Sequence, residues 1–366
     1  MVAGLRSASG ASPAFQTVFA SVRGTLDQEV PMLPDEDVDW ELVRSIARRH
    51  HVVPLVYEGL SMVDASSPVF AALRESVQRN TKRNLQLATE LIRIVEDFED
   101  AGVRAISFKG PVLAKLAYGD LNRRAFLDLD LLVHPDDVLE AGRILRANGY
   151  APNDEFGTLL RRGREFPLLA DVGECGFDHE SRGRVELRWR HGHWANPLEA
   201  SFDDWWRRRE VATLAGHDVP VLSPEDRILI LATHGNKHAW RRLAWIVDVP
   251  ASLRAHDVEW ETLYRLASSW NVVVALNVAI VLSVSVSEEV TETIPESVQS
   301  RAWNDRRATA LAKRAVTRLS THPLGTPSRY EELAYDFIAT ATVRTMSQFP
   351  KRLTAASIRK VSQITS

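Results

Sequence analysis

ISFKGPVLAKLAYGDLNRRAFLDLDLLV, residues 106–133, runs from a buried-strand pattern through a Lys109-Gly110-Pro111 turn and a helix into a second strand. In that second strand Asp128 and Asp130 alternate with leucines. Side chains two apart on a strand share a face, so the aspartates stand together while Leu127, Leu129 and Leu131 face the other way. Strand geometry puts the two Cβ atoms about 6 to 7 Å apart, and anions that close repel unless a cation sits between them. Alternating Asp-Leu also occurs on ordinary half-exposed strands, so the surroundings decide its meaning. The helix after Gly110 offers free backbone N–H groups and a favourable dipole to phosphate, and Lys109 adds a point charge. Magnesium takes oxygen ligands, usually one or two carboxylates plus substrate phosphates. The stretch therefore predicts a site for a metal-bound triphosphate.

Working outward, a third carboxylate is wanted on a neighbouring strand. Two strand-like runs, 176–180 and 184–189, are joined by Ser181-Arg182-Gly183, a hairpin signal that makes the sheet mixed. Glu186 sits in the second run between Val185 and Leu187 and is the candidate, with an ion pair to Arg184 or Arg188 as its structural alternative. Runs at 210–214 and 218–222 extend the sheet. His134-Pro135-Asp136 starts a helix that Gly149 closes.

Residues before Gly102 read as helical, with 1–12 disordered and Ser66-Ser67-Pro68 starting a long helix over 69–100. Ser223-Pro224-Glu225-Asp226 is a strong helix start, and the pattern stays helical to the C-terminus. There His234, Lys237, His238, Arg241, Arg242, Trp245 and Asp248 fall largely on one helical face, with a break expected near Gly235. Such a basic, imidazole-bearing face suits phosphates or an acceptor across a cleft. His234 and His238 also have metal-ligand spacing, but lack the glutamate of a zinc HExxH motif. The predicted architecture is α+β: an N-terminal helical segment (1–99), a small mixed-sheet core (100–222) and a C-terminal helical domain (223–366).

Composition is that of an ordinary globular chain: 366 residues, 45% hydrophobic, 25% charged, net charge -3. Near-neutral charge weighs against long nucleic acid as partner. The one cysteine, Cys175, excludes an internal disulfide framework and fits a reducing cytoplasm. The N-terminus lacks a basic region followed by an apolar run, and the most apolar stretch, 272–286, is too short to span a membrane, so neither secretion nor a membrane is expected.

The run LDLDLLV, preceded by the Lys-Gly turn, Tyr118-Gly119-Asp120 and Arg124, resembles the polymerase-β-type nucleotidyltransferase superfamily, and more narrowly the bacterial group of uncharacterised nucleotidyltransferases. VELRW with Glu186, and LSPEDRILILATHGNKHAWRRLAWIVDV, are similar to that group too, so the resemblance covers roughly 70 to 255. It implies that Asp128 and Asp130 bind catalytic magnesium or manganese. Glu186 fills the third carboxylate position, where it also helps activate the acceptor hydroxyl. Lys109, Gly110 and Arg124 cradle the triphosphate, and His234, Lys237, His238 and Arg241 face it. The superfamily typically has Gly-Ser where this chain has Lys109-Gly110-Pro111, so the usual phosphate-touching serine is missing. The expected activity is NMP transfer from an NTP to an unidentified acceptor, a small molecule, peptide or protein. Two rivals are a DxD-type nucleotide-sugar glycosyltransferase and a non-catalytic nucleotide-binding interaction module.

Overall fold

The structure, a computed structural model, describes residues 11–326 except 36, 64–67, 153–172, 191, 194–195 and 198–199, together with 328 and 330. Among the described residues four helices come first: α1 (Pro13–Asp27), α2 (Trp40–Arg49), α3 (Val53–Ser61) and α4 (Pro68–Asp100). The disorder expected over 1–12 fails at its end: Ala11 is buried, and Ser12 caps α1 by accepting the Phe15 N–H at 3.3 Å. Residues 1–10 and the expected helix start at Ser66-Ser67 lie outside the described residues.

The central part runs β1 (Ala105–Ser107), α5 (Gly110–Tyr118), β2 (Asp128–Val133), α6 (Val138–Ala147), β3 (Ala151–Pro152), β4 (Glu174–His179), β5 (Gly183–Arg188), α7 (Phe202–Arg208), β6 (Glu210–Leu214) and β7 (His217–Val221). These strands form one seven-stranded sheet in the order β3-β4-β5-β2-β1-β7-β6. β2 is antiparallel to β1 and parallel to β5, while β4–β5 and β6–β7 are hairpins. The fold is therefore mixed α+β, as the hairpin signal predicted. Helices α8 (Pro224–Lys237), α9 (Leu243–Ala255), α10 (Trp260–Ser269), α11 (Val273–Val286), α12 (Glu288–Thr293), α13 (Glu296–Asn304) and α14 (Arg306–Thr321) follow. Ser223 caps α8 through the Asp226 N–H, with Pro224 in the first turn. α11 is buried from Val274 to Val286 at the centre of this bundle, against α8, α9, α13 and α14. Among the described residues no helix is long and apolar enough to cross a membrane.

The pleat of β2 divides the core. Leu129, Leu131 and Val133 pack with α4 residues from Leu87 to Phe98 and with α6 on one side of the sheet. Leu132 faces the other way and joins Ile106, Phe108 and α5 to a core built by both the N-terminal and C-terminal helices. Asp128 and Asp130 share the face of Leu132, so the carboxylates point toward the terminal helices. Leu127 departs from the expected alternation; it precedes β2 and is 53% exposed.

His50 joins the two helical parts. Its Nδ1 accepts the Leu243 N–H at 3.3 Å, and its Nε2 donates to the Pro323 carbonyl at 2.7 Å. Burial pushes its pKa down to about 4, so the folded protein refuses a proton that the unfolded chain binds. Stability from this residue is complete above its ordinary value and is lost as pH falls toward 4, by about 3 kcal/mol. Urea unfolding at pH 7.5 and pH 4.5 should show that His50→Gln loses less stability on acidification than wild type.

Candidate active site

Parallel pairing of β2 with β5 sets Asp130 opposite Glu186 and Asp128 opposite Arg184. Asp128, Asp130 and Glu186 line one side of a cleft of about 330 Å³. Its other side is built by His234, Lys237 and His238 at the end of α8, by Arg241 and Arg242, and by Trp245 of α9. Lys109 and Arg124 also line it. The structure thus brings nine of the ten sequence-predicted side chains to one cavity; Gly110 stands apart.

Gly110 starts α5 at φ +57, and a Cβ there would meet the Asp128 carbonyl oxygen at 3.1 Å. Only glycine accepts both the left-handed conformation and this close approach without cost. Gly110→Ala is expected to lose about 1 to 3 kcal/mol of stability, measurable by urea unfolding, and to displace the start of β2.

The electrostatics follow from burial. Burial, with the charges of Asp130 and Glu186, pushes the Asp128 carboxyl up to about 6. Burial pulls the Lys109 amine below its ordinary value despite Asp130, whose Oδ1 lies 3.9 Å from Nζ. Burial and the Lys109 charge hold His234 far below the usual imidazole range. A neutral His234 therefore accepts Lys109 Nζ at Nδ1, 3.2 Å away, and carries its proton on Nε2. Its ring meets those of His238 and Trp245 at 4.9 and 5.1 Å, and the guanidinium groups of Arg241 and Arg242 lie over Trp245. Arg242 Nε is buried without a hydrogen-bond partner among the described residues. That leaves a donor for an anion.

Two features depart from the sequence reading, and a third bears out its ion-pair alternative for Glu186. α8 runs straight through Gly235, where a Cβ would strike the Trp240 ring at 2.5 Å. The chain breaks later, at Ala239 and Trp240 with φ of 50 and 51, so Arg241 and Arg242 belong to a turn and not to the face of α8. Arg124 faces Asp248 of α9: its Nε lies 2.8 Å from Oδ1 and its Nη2 3.0 Å from Oδ2, leaving Nη1 and the second Nη2 hydrogen as donors. Arg188 is the third. Buried at the foot of the cleft, it bonds Glu186 and Glu174 and brings Nε to 3.5 Å from Asp130. Burial opposes its charge, but Glu174, Asp130 and Glu186 together keep it firmly protonated.

Sequence reasoning missed Glu174 and His51 as lining residues, and saw Arg188 only as an ion-pair partner of Glu186, a contact the structure contains. The i, i+2 relation of Glu186 to Arg188 on β5 was the available signal for the latter; nothing local marks the other two. Among the described residues no three His, Cys, Asp or Glu side chains converge to hold a metal by themselves. Any ion here takes part of its shell from elsewhere. The donor set is of hard oxygens, which suits magnesium or manganese over zinc.

Strand-borne carboxylates facing a basic cleft across a mixed sheet place the protein in the nucleotidyltransferase class. The chain belongs to the family described as uncharacterised nucleotidyltransferase, whose model matches residues 36–287, a wider span than the motifs cover. Two solved structures resemble parts of it. One is a lincosamide antibiotic adenylyltransferase with lincomycin bound, at 16% identity over 38% of this chain and 83% of that chain, with a TM-score of 0.28. The other is an antigenic nucleotidyltransferase-like protein from Paracoccidioides brasiliensis, at 16% identity over 52% and 92%, with a TM-score of 0.31. No curated protein matches the chain.

Proposed function

We propose that the protein is a metal-dependent nucleotidyltransferase that moves an NMP from an NTP to an acceptor hydroxyl and releases pyrophosphate. The observation that carries this is the register of β2 and β5, which sets Asp128, Asp130 and Glu186 on one side of a cleft whose other side is basic. Burial first, and then the charges of Asp130 and Glu186, push the Asp128 carboxyl up to about 6, a cost that a bound cation would relieve. Asp128 and Asp130 would hold magnesium or manganese, with triphosphate oxygens filling the shell that side chains leave open. When bound, such an ion neutralises triphosphate charge and aligns the reacting oxygens.

The remaining work falls to the chain. Lys237, Arg241, Arg242 and the Arg124 Nη1 meet the triphosphate, and Lys109 stands between Asp130 and His234 to hold both in place. The acceptor oxygen bonds to the α-phosphorus as the bond to the pyrophosphate oxygen breaks. The hydroxyl proton passes to Glu186 Oε1, because Arg188 grips Oε2 and fixes the carboxylate plane. Positioning and charge neutralisation supply the rate, with no covalent intermediate.

Family membership favours this reading over a nucleotide-sugar glycosyltransferase. A second reading, a non-catalytic nucleotide binder, draws on Arg188, which already neutralises the carboxylates. One experiment separates them. Protein, each α-labelled NTP, magnesium or manganese and a cell extract as acceptor source should give labelled product and pyrophosphate. Asp128→Asn and Asp130→Asn should give neither. Tight NTP binding with no turnover would establish the second reading, and NTP–metal binding equal in wild type and variants would remove both aspartates from the site.

A further inference from the structure

Next to the cleft opens a second cavity of about 310 Å³, lined by Arg48, His51, Ser76, Arg79, Asn80 and Arg83. His51, Ala125 and Leu127 line both, so the rim between them is the segment that leads directly into Asp128. Among the described residues no carboxylate lines this cavity. Arg83 is held in position, donating from Nε to the Phe126 carbonyl at 2.9 Å and from Nη2 to Asn80 at 2.6 Å. Burial pulls its pKa down with no acid to counter it. Arg79 is steadied by Glu75 and Ser76. Burial and the surrounding arginines hold His51 down near 4, so it is a neutral hydrogen-bonding group at the boundary.

We infer that this cavity is the acceptor pocket and that it binds the phosphate of a small phosphorylated alcohol, with the hydroxyl directed over the Leu127 rim toward Asp128. Guanidinium groups match phosphate oxygens in a bidentate fork, and of the three around this cavity only Arg79 has a carboxylate beside it, Glu75, so the described residues leave an excess of positive charge that suits a dianion. The volume is at the small end of ligand pockets, roughly 300 Å³ and upward, which fits a small molecule and not a polymer. The role given to the hydroxyl rests on the nucleotidyl-transfer reading; the phosphate site does not.

The test is calorimetric titration of the full chain, without NTP, using inorganic phosphate, glycerol 3-phosphate and glycerol. Both phosphates should bind and glycerol should not. Arg48→Ala/Arg79→Ala, at two exposed positions, should weaken phosphate binding by at least about tenfold, the worth of one charge-assisted hydrogen bond. Asp128→Asn and Arg241→Ala should leave it unchanged. Loss in Arg241→Ala instead would put the phosphate in the catalytic cleft and overturn the assignment. So would equal binding by the pocket variant, binding of glycerol, no binding of either phosphate, or tenfold tighter binding of a short oligonucleotide. The predicted variant pattern without NTP turnover sinks the transfer reading and leaves the pocket; turnover without phosphate binding does the reverse.

Discussion

Asp128→Asn is expected to abolish nucleotidyl transfer and at the same time to stabilise the protein. The carboxylate is pushed up to about 6 by burial, Asp130 and Glu186, so at neutral pH the folded state bears a charge it would shed if it could. Because the unfolded chain ionises this group more readily, its penalty is absent below the ordinary carboxylate range and complete above about 6. Its size is about 3 kcal/mol. Asparagine removes the charge and keeps the shape, so urea unfolding at pH 8 should show a gain approaching that figure, and the gain should vanish near pH 4. Activity moves the other way. Without one of the two carboxylates proposed to hold the metal-bound triphosphate, transfer should fall by about a thousandfold or more, as when a positioned charge is withdrawn from a water-poor site. Manganese should raise the melting temperature of wild type and not of the variant. A variant that is active, or less stable at pH 8, would refute this assignment.

Asp248→Ala should cause a large loss of stability, because Asp248 holds Arg124 in the cleft wall. Asp248 is 1% exposed and receives Arg124 in a two-pronged pair as well as the Tyr118 hydroxyl at 2.8 Å. Removing it leaves a buried guanidinium without a partner, which costs about 3 to 5 kcal/mol. Tyr118 loses its acceptor as well. The pair ties the segment before β2 to α9, so the cleft should widen and transfer should fall along with stability. Denaturant unfolding and NTP affinity read the two effects. Arg124→Met/Asp248→Leu should recover most of the stability, since apolar replacement of a whole buried pair is often neutral, but it should not recover NTP affinity. If the single variant lost under 1 kcal/mol, the pair would be only a surface-like contact.

Much of the central part was legible because its signals are local. The hairpin at 181–183, the start of α8 at Ser223-Pro224 and the closure of α6 near Gly149 each depend on a few adjacent residues, and each formed. Arg241 and Arg242 were misplaced because helical periodicity was carried past Lys237; the packing of Trp240 against Gly235 sets the break instead. The long helix α4 reads as a plain amphipathic helix, and nothing in its pattern says that Asn84 donates to the Leu121 and Arg124 carbonyls or that Arg83 reaches Phe126. Those bonds hold the segment that shapes both cavities.

What the sequence alone determined is the same-face pair Asp128 and Asp130, because strand alternation is a property of successive residues; the parallel register of β2 and β5 then sets Glu186 opposite Asp130. Which distant side chains meet around them was decided by tertiary structure. Lys109 and His234 lie 125 residues apart, and Arg124 and Asp248 lie 124 apart. Such partners are chosen by how a sheet face and two helix ends pack together. No local period records that choice.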